Sequence, residues 1–158
     1  LTFYHGVEEL PDFTDYNMTN RTYRYFTGKA LFPFGFGLSY TSFALTDASA
    51  TADILTEGAP VTARVNVTNT GDRAGETVVQ LYARVKHAHF VRAEKSLIAW
   101  KRVSLEPGET KTVELPVTAD MLRLYDHNGD AFPLAGECKL MFGLNCEEIA
   151  AETSIVLK

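Results

Sequence analysis

The sequence predicts an all-β protein, an antiparallel β-sandwich preceded by an irregular, aromatic-rich N-terminal arm. Two observations predict this fold. From residue 61 onward apolar and polar residues alternate with a period of two, and short turn signals separate the alternating runs. Over residues 1–40 that alternation gives way to polar, irregular sequence and then to a cluster of rings. We therefore divide the chain into an arm, residues 1–40, and a sandwich, residues 41–158.

The arm is marked by its aromatic residues. Seven of the chain's 10 Phe, 7 Tyr and 1 Trp lie between Arg21 and Tyr40. In the part that reads FPFGFGLSY, bulky residues take every second position, with Pro, Gly or Ser between them. If this part is extended, one face is a row of rings and the other is nearly bare backbone, which another backbone can approach closely. Exposed rings in a row promote aggregation, so we expect this segment to be covered on both sides.

The sandwich is predicted from six alternating runs, at 61–68, 76–85, 97–105, 111–117, 138–144 and 153–158. We expect one side chain in two along these runs to face a shared core. The inward-facing set is Val65, Val67, Val79, Leu81, Val113, Leu115, Leu140 and Phe142, and we also expect Trp100 to be largely buried.

Turn signals separate the runs, at NTGD 69–72, EPGE 106–109, HNGD 127–130 and LAGE 134–137. Pro-Gly and Asn-Gly pairs favour tight turns because they supply a preset φ or tolerate a positive one. Only TADML, residues 118–122, looks helical, and it is one turn at most, with Thr118 as the expected N-cap. Many short strands over about a hundred residues favour an immunoglobulin-like or fibronectin type III-like sandwich.

Charge and composition exclude several classes of partner. The formal net charge is −5, and the sequence lacks the basic stripe that would predict nucleic-acid binding. No apolar run approaches the ~20 residues of a membrane span. Cys138 and Cys146, if joined by extended chain, lie roughly 26 Å apart, well beyond the reach of a disulfide. We expect two free thiols, with Cys138 buried. Free thiols favour a reducing, cytoplasmic compartment, and nothing else in the sequence indicates a localisation.

Two groups of residues have spacings that could hold a metal ion, and for both we favour an ordinary loop or turn over a metal site. His87, His89 and Glu94 form half of a metal-binding pattern, but no second histidine motif follows, so a solvated loop is favoured. Asp126, Asn128, Asp130 and Glu137 match a calcium loop in spacing, but Ala131 replaces the required Gly and Pro133 interrupts it, which favours a hairpin. No cofactor motif is present, and a filled sandwich offers no cleft for a pair of catalytic carboxylates.

Residues 15–43, DYNMTNRTYRYFTGKALFPFGFGLSYTSF, resemble the connector that precedes the C-terminal domain in glycoside hydrolase family 3, the β-glucosidases and β-xylosidases. The resemblance continues through VNVTNTGDRAGETVVQLYAR, LIAWKRVSLEPGETKTVELPVT and GECKLMFGLN, which are similar to the fibronectin type III-like domain of those enzymes. LTFY resembles the last strand of the preceding α/β domain. Ala93, Ala99–Trp100 and the AFPL segment depart from the family pattern.

The resemblance implies a non-catalytic accessory domain, because the family's nucleophile and its acid/base residue lie in two other domains. It implies that the parent's catalytic domains are the intramolecular partner, with a homodimer and carbohydrate contact as further expectations. The residues expected to join the domains are Tyr23, Tyr25, Phe26, Phe32, Phe34, Phe36 and Tyr40, and Arg21 and Arg24 are candidates for a substrate rim. The alternative is an independent module that binds carbohydrate or protein, with rings stacking on sugar faces beside these arginines.

Overall fold

A computed structural model of the chain describes residues 2–86, 93–125, 128–132 and 135–158. Its strands form two sheets that face each other across one core. The strands are β1 (Phe43–Ala50), β2 (Ile54–Leu55), β3 (Val61–Asn69), β4 (Gly75–Val85), β5 (Ser96–Leu105), β6 (Thr110–Val117), β7 (Gly136–Gly143) and β8 (Ile149–Leu157). The helical elements are α1 (Thr22–Tyr25) and two short 3-10 turns, Val7–Glu9 and Ala119–Leu122.

The smaller sheet has the strand order β1-β3-β6, and the larger one has the order β2-β8-β7-β4-β5. All pairs are antiparallel except β2 with β8, which are parallel. The predicted all-β sandwich is therefore confirmed. The six predicted runs correspond to β3, β4, β5, β6, β7 and β8.

The core contains every residue of the set predicted to face inward. Val65, Val67, Val79, Leu81, Leu140 and Phe142 have no exposed surface, and Val113 and Leu115 are nearly as buried. The prediction for Trp100 is wrong, because its side chain is 63% exposed. Trp100 lies directly opposite Gln80 in the β4–β5 ladder, on the face of the sheet that points away from the core. The ladder runs without a shift from Gly75/Leu105 to Leu81/Ala99, so regular alternation places Trp100 on the face opposite the core residues Val79 and Leu81.

The sequence reading missed β1 and β2. In β1 the pairing with β3 is interrupted between Thr46 and Ser49, and Asp47 has a φ of 56°. A bulge of this kind breaks the period of two on which the prediction depended. β2 has only two residues, too few to show any period.

Asn69 fixes the turn between β3 and β4. Its buried amide donates hydrogen bonds to the carbonyls of Arg73 and Leu105, over 2.7 and 3.1 Å. Its side-chain oxygen accepts from the amide of Gly71 at 3.1 Å and from the hydroxyl of Thr41 at 2.7 Å. One buried side chain thus ties the turn to the neighbouring strand and to the end of the arm. The helical turn at Ala119–Leu122 is present and Thr118 occupies its N-cap position, as expected, although the Thr118 side chain makes no capping hydrogen bond.

Candidate functional site: the joint between the arm and the sandwich

The arm lies against the outer face of the five-stranded sheet. The rings of Tyr23 and Phe34 stack with centroids 4.2 Å apart, and Tyr23 meets Tyr82 of β4 edge to face at 6.1 Å. Tyr82 is fully buried, and Met141 and Cys146 complete a second apolar cluster beneath these rings. Aromatic pairs in such geometries contribute roughly 0.5–1.5 kcal/mol beyond their buried area. The larger sheet is therefore packed on both faces, by the core on one side and by the arm on the other.

A buried polar network sits beside the rings. The Tyr82 hydroxyl donates to the side-chain oxygen of Gln80. The Gln80 amide nitrogen donates to the carbonyl oxygens of Gly35 at 3.2 Å and Leu144 at 2.6 Å. Gln80 is 6% exposed, so both ends of its amide are satisfied inside the protein. Gln80, in β4, thus links Gly35 of the arm to Leu144, the residue that follows β7.

Four further hydrogen bonds clamp the arm to the sandwich. The amide of Cys146 donates to the carbonyl of Phe34 at 2.9 Å, and the amide of Glu94 donates to that of Arg24 at 2.6 Å. The amide of Ala30 donates to the Glu147 carboxylate at 2.7 Å. The amide of Leu97, in β5, donates to the hydroxyl of Tyr23 at 3.0 Å. The arm is therefore held at both ends of its contact.

Burial shapes the ionisation of the groups under the arm. Desolvation raises the pKa of the Tyr82 phenol well above its usual range, with Cys146 and Tyr23 adding to the effect. Desolvation also raises the pKa of the Cys146 thiol, against a lowering influence from Lys95. Both groups therefore stay neutral at neutral pH. Cys138 and Cys146 are not joined in a disulfide and Cys138 is buried, as predicted; Cys146 is buried as well.

The arm is not the continuous extended segment that its alternation suggested. A turn at Phe34–Gly35 is closed by the amide of Phe36 donating to the carbonyl of Pro33 at 3.0 Å, and Gly35 has a φ of 84°. This turn sends Phe34 toward the sheet. Phe32 and Phe36 stay 49% and 45% exposed and contact each other at 5.6 Å.

The remaining joint candidates also divide into partly buried and exposed residues. Tyr25 and Phe26 are partly buried, and Phe26 packs edge to face against Tyr4 at 5.2 Å. Tyr40 is almost fully exposed. Phe3 pairs with Phe32 through an isolated bridge, and their rings meet at 6.2 Å. Phe3 thus lies beside the outward-facing part of the arm.

The two rim candidates differ in what they already bind. The Arg21 guanidinium donates to the backbone carbonyls of Asp12, Asp15 and Asn17, so it organises the preceding loop. Arg24 is exposed, donates to the Ser96 hydroxyl at 3.2 Å, and has its guanidinium carbon 5.7 Å from the centroid of the Tyr25 ring. Of the two, Arg24 has the guanidinium with more capacity for a ligand.

Some of the residues considered for metal binding, His87, His89 and Asp126, lie outside the described part of the chain. Glu94 pairs with Arg84 at 2.9 Å, and Glu137 pairs with Lys86 at 2.8 Å, so each carboxylate has a cationic partner. Within the described ranges, no three His, Cys, Asp or Glu side chains come together as a metal-binding group.

Comparison with known proteins agrees with the fold and the arm. Residues 77–145 match the fibronectin type III-like domain family. The xylan 1,4-β-xylosidase of Xylanibacter ruminicola is 42% identical over 126 residues, which are 80% of this chain and 14% of that protein. The periplasmic β-glucosidase of Salmonella typhimurium is 31% identical over 161 residues, 94% of this chain and 21% of that protein.

Solved structures show the same relation. A β-glucosidase from Erythrobacter marinus superposes with a TM-score of 0.83 at 34% identity, over 99% of this chain and 21% of that one. The family 3 β-glucosidase of Bifidobacterium adolescentis gives 0.75 at 26% identity, over 85% of this chain and 20% of that one. This chain spans about a fifth or less of each of these relatives.

The fold and the matched segment define a fibronectin type III-like β-sandwich domain. With its aromatic arm included, the chain belongs with the fibronectin type III-like region of family 3 β-glucosidases and β-xylosidases. In the described part of the chain, no helix has the length and apolar character needed to cross a membrane.

Proposed function

We propose that this chain is the accessory domain of a family 3 β-glycosidase and that its arm braces the sandwich against the enzyme's α/β domain. One observation carries the proposal. The arm presents two opposite sets of rings, one seated on the sandwich and one directed to solvent. Tyr23 and Phe34 pack on the sheet, whereas Phe32 and Phe36 form an exposed pair beside Phe3.

The energetics support a second partner for the outward rings. Burying a Phe side chain is worth about 1.5–3 kcal/mol, and both outward rings are roughly half exposed here. The segment that carries them is fixed by the hydrogen bonds to Cys146 and Glu147, so a partner would meet a preformed surface. Preorganisation of this kind lowers the entropy lost on docking. The parent would hydrolyse terminal β-D-glycosidic bonds, and Arg24, beside the joint, is our candidate for its active-site rim.

The test compares two variants in this chain and in the whole enzyme that contains it. Phe32→Ser with Phe36→Ser removes the outward rings, and Phe34→Ser removes an inward ring. We expect the double variant to leave the melting of the chain nearly unchanged and to lower the thermal inactivation temperature of the whole enzyme. Phe34→Ser should lower the melting of the chain itself. Phe13→Ser, an exposed ring outside the joint, is the control.

An equal loss of chain stability from the double variant would show that these rings belong to the sandwich, which contradicts the bracing role. Unchanged inactivation of the whole enzyme would contradict it as well. The accessory role has its own test. The chain 1–158 should show no turnover of aryl β-glucosides or β-xylosides above a denatured control, and activity that survives repurification would overturn that role.

A further inference from the structure

Trp100 occupies an unusual position for an indole. It projects from the edge strand β5, on the outer face of the five-stranded sheet, and is 63% exposed. Its cross-strand neighbour is Gln80, and the next residue of β5 on the same face, Arg102, lies opposite Val78. The arm contacts this face at Gln80, whose side chain donates to the Gly35 carbonyl, and residues 36–39 continue beside Val78 and Glu76. Trp100, on the neighbouring edge strand, lies opposite Gln80 and so at the margin of this contact.

A groove of about 470 Å³ runs between the arm and β4 at this margin. Arg102, Val78 and Gln80 line one side of it, and Phe36 lines the other. Its volume falls in the usual range for small-molecule sites, roughly 300–1,000 Å³. Trp100 is not one of the lining residues, but it shares a face with Arg102 and a rung with Gln80, so the indole neighbours two residues that line the groove.

The polar groups in the groove divide into scaffold and contact groups. Gln80 is fully engaged by Tyr82, Gly35 and Leu144, so it holds the wall in place. Arg102 pairs with Glu76 over 3.3 Å, and their side chains are 68% and 55% exposed. An exposed pair of this kind contributes little to folding, so its donors and acceptors can turn to a ligand at small cost.

We infer that this groove, together with the neighbouring Trp100, binds a neutral β-linked oligosaccharide. A pyranose ring has an apolar C–H face that stacks on an indole and a rim of hydroxyls that needs planar donors and acceptors. Trp100 supplies the first, and the Arg102–Glu76 pair supplies the second. The chain's net charge of −5 disfavours an anionic polysaccharide or a nucleic acid. The inference goes beyond the bracing role but shares Phe36 with the proposed joint, so its test varies Trp100 and Arg102, which the joint does not include.

Trp100 is the chain's only tryptophan, so its fluorescence reports on the site alone. The experiment titrates the 158-residue chain with xylohexaose, cellohexaose and laminarihexaose, and follows Trp100 emission and the heat of binding. We expect at least one hexasaccharide to shift the emission saturably. Trp100→Ala, followed by calorimetry, should weaken binding by about tenfold or more, as for truncation of a central contact. Arg102→Ala keeps the fluorophore and should weaken binding in the same titration.

Two matched controls separate the site from general effects. Lys101→Ala removes a positive charge one residue away, on the opposite face of β5, where Lys101 pairs with the core residue Val79. Tyr125→Ala removes another ring of equal exposure, 62%, elsewhere on the surface. Both should leave the affinity unchanged. The inference is overturned if no hexasaccharide shifts the emission or releases heat, or if Trp100→Ala binds as well as the parent chain. It is also overturned if the emission shifts with protein concentration in the absence of sugar, which would mean that a second copy covers Trp100.

Discussion

Replacing Gly35 with Ala tests how closely the arm is fitted to the sheet. Gly35 has a φ of 84°, a left-handed conformation that side chains with a Cβ adopt at a cost. A Cβ placed there would also lie 2.1 Å from the side-chain oxygen of Gln80 and 2.7 Å from its nitrogen. Gln80 is held by Tyr82 and by the carbonyl of Leu144, so it can move only by giving up those hydrogen bonds. The substitution therefore has two separate costs.

The magnitude follows from those two costs. The left-handed backbone of a non-glycine residue costs about 1–2 kcal/mol. Displacing Gln80 leaves a buried polar group unsatisfied, which costs a further 1–3 kcal/mol or so. We expect Gly35→Ala to lower the free energy that holds the arm in place by about 2–5 kcal/mol, since the two costs act at one site.

Two assays separate loss of the arm from loss of the sandwich. Urea unfolding followed by circular dichroism measures the free energy of unfolding of the whole chain. Limited trypsin digestion, with cleavage after Arg24 and Lys29, measures release of the arm. Gly108→Ala is the control for backbone strain alone, because Gly108 has a φ of 73° and no atom within 4 Å of a Cβ there. Gly37→Ala is the neutral control, with open space and no positive φ.

The expected order of damage is Gly35→Ala, then Gly108→Ala, then Gly37→Ala, which should lie within about 0.5 kcal/mol of the parent chain. If Gly35→Ala is no more damaging than Gly108→Ala in either assay, the contact with Gln80 contributes nothing. The account of the joint as a close-packed, hydrogen-bonded contact would then be wrong.

Two further predictions concern the sandwich itself. Leu140→Ala should lower the free energy of unfolding in urea by about 2–5 kcal/mol, because it empties a fully buried position. Val156→Ala, at a 41% exposed site, should lower it far less. Equal losses would mean that Leu140 does not lie in the core. The pKa of Glu109 lies below its ordinary value, chiefly because the Glu106 amide donates to its carboxylate, with Lys111 adding to the effect. The stabilisation is thus present above the unfolded-state pKa and is lost as pH falls through the folded-state pKa, so Glu109→Gln should flatten the fall in melting temperature between about pH 6 and pH 3. An unchanged slope would contradict this assignment.

The sequence predicted the parts of the fold that regular alternation controls. Val65 and Leu140 were assigned to the core correctly because β3 alternates regularly in its pairing with β6, as β7 does in its pairing with β4. Trp100 was assigned wrongly because a large apolar side chain does not by itself decide which face a residue takes. In the β4–β5 ladder Trp100 pairs with Gln80, on the face opposite the core residues Val79 and Leu81. β1 was missed because the bulge at Asp47 breaks its alternation.

The joint was predictable in composition but not in geometry. The alternation of rings and small residues indicated a covered segment, and Tyr23 and Phe34 do pack against the sheet. The turn at Gly35 could not be read from the alternation, since glycine fits both an extended and a left-handed backbone. Gln80 gave no signal at all, because its role depends on two backbone partners distant in sequence, Gly35 and Leu144. The division of the arm into inward and outward rings follows from that turn.

The outer face of the five-stranded sheet has consequences for how this domain can be exchanged between proteins. A gene fusion that moved only the strands, from Thr41 onward, would leave Tyr82 and Met141 open to water, and with them an apolar surface that favours aggregation. A transfer that begins before Tyr23 would bring its own cover. The segment that must be transferred as a whole is therefore longer than residues 77–145, which match the domain family. Recombination would be expected to preserve the arm together with the strands it protects.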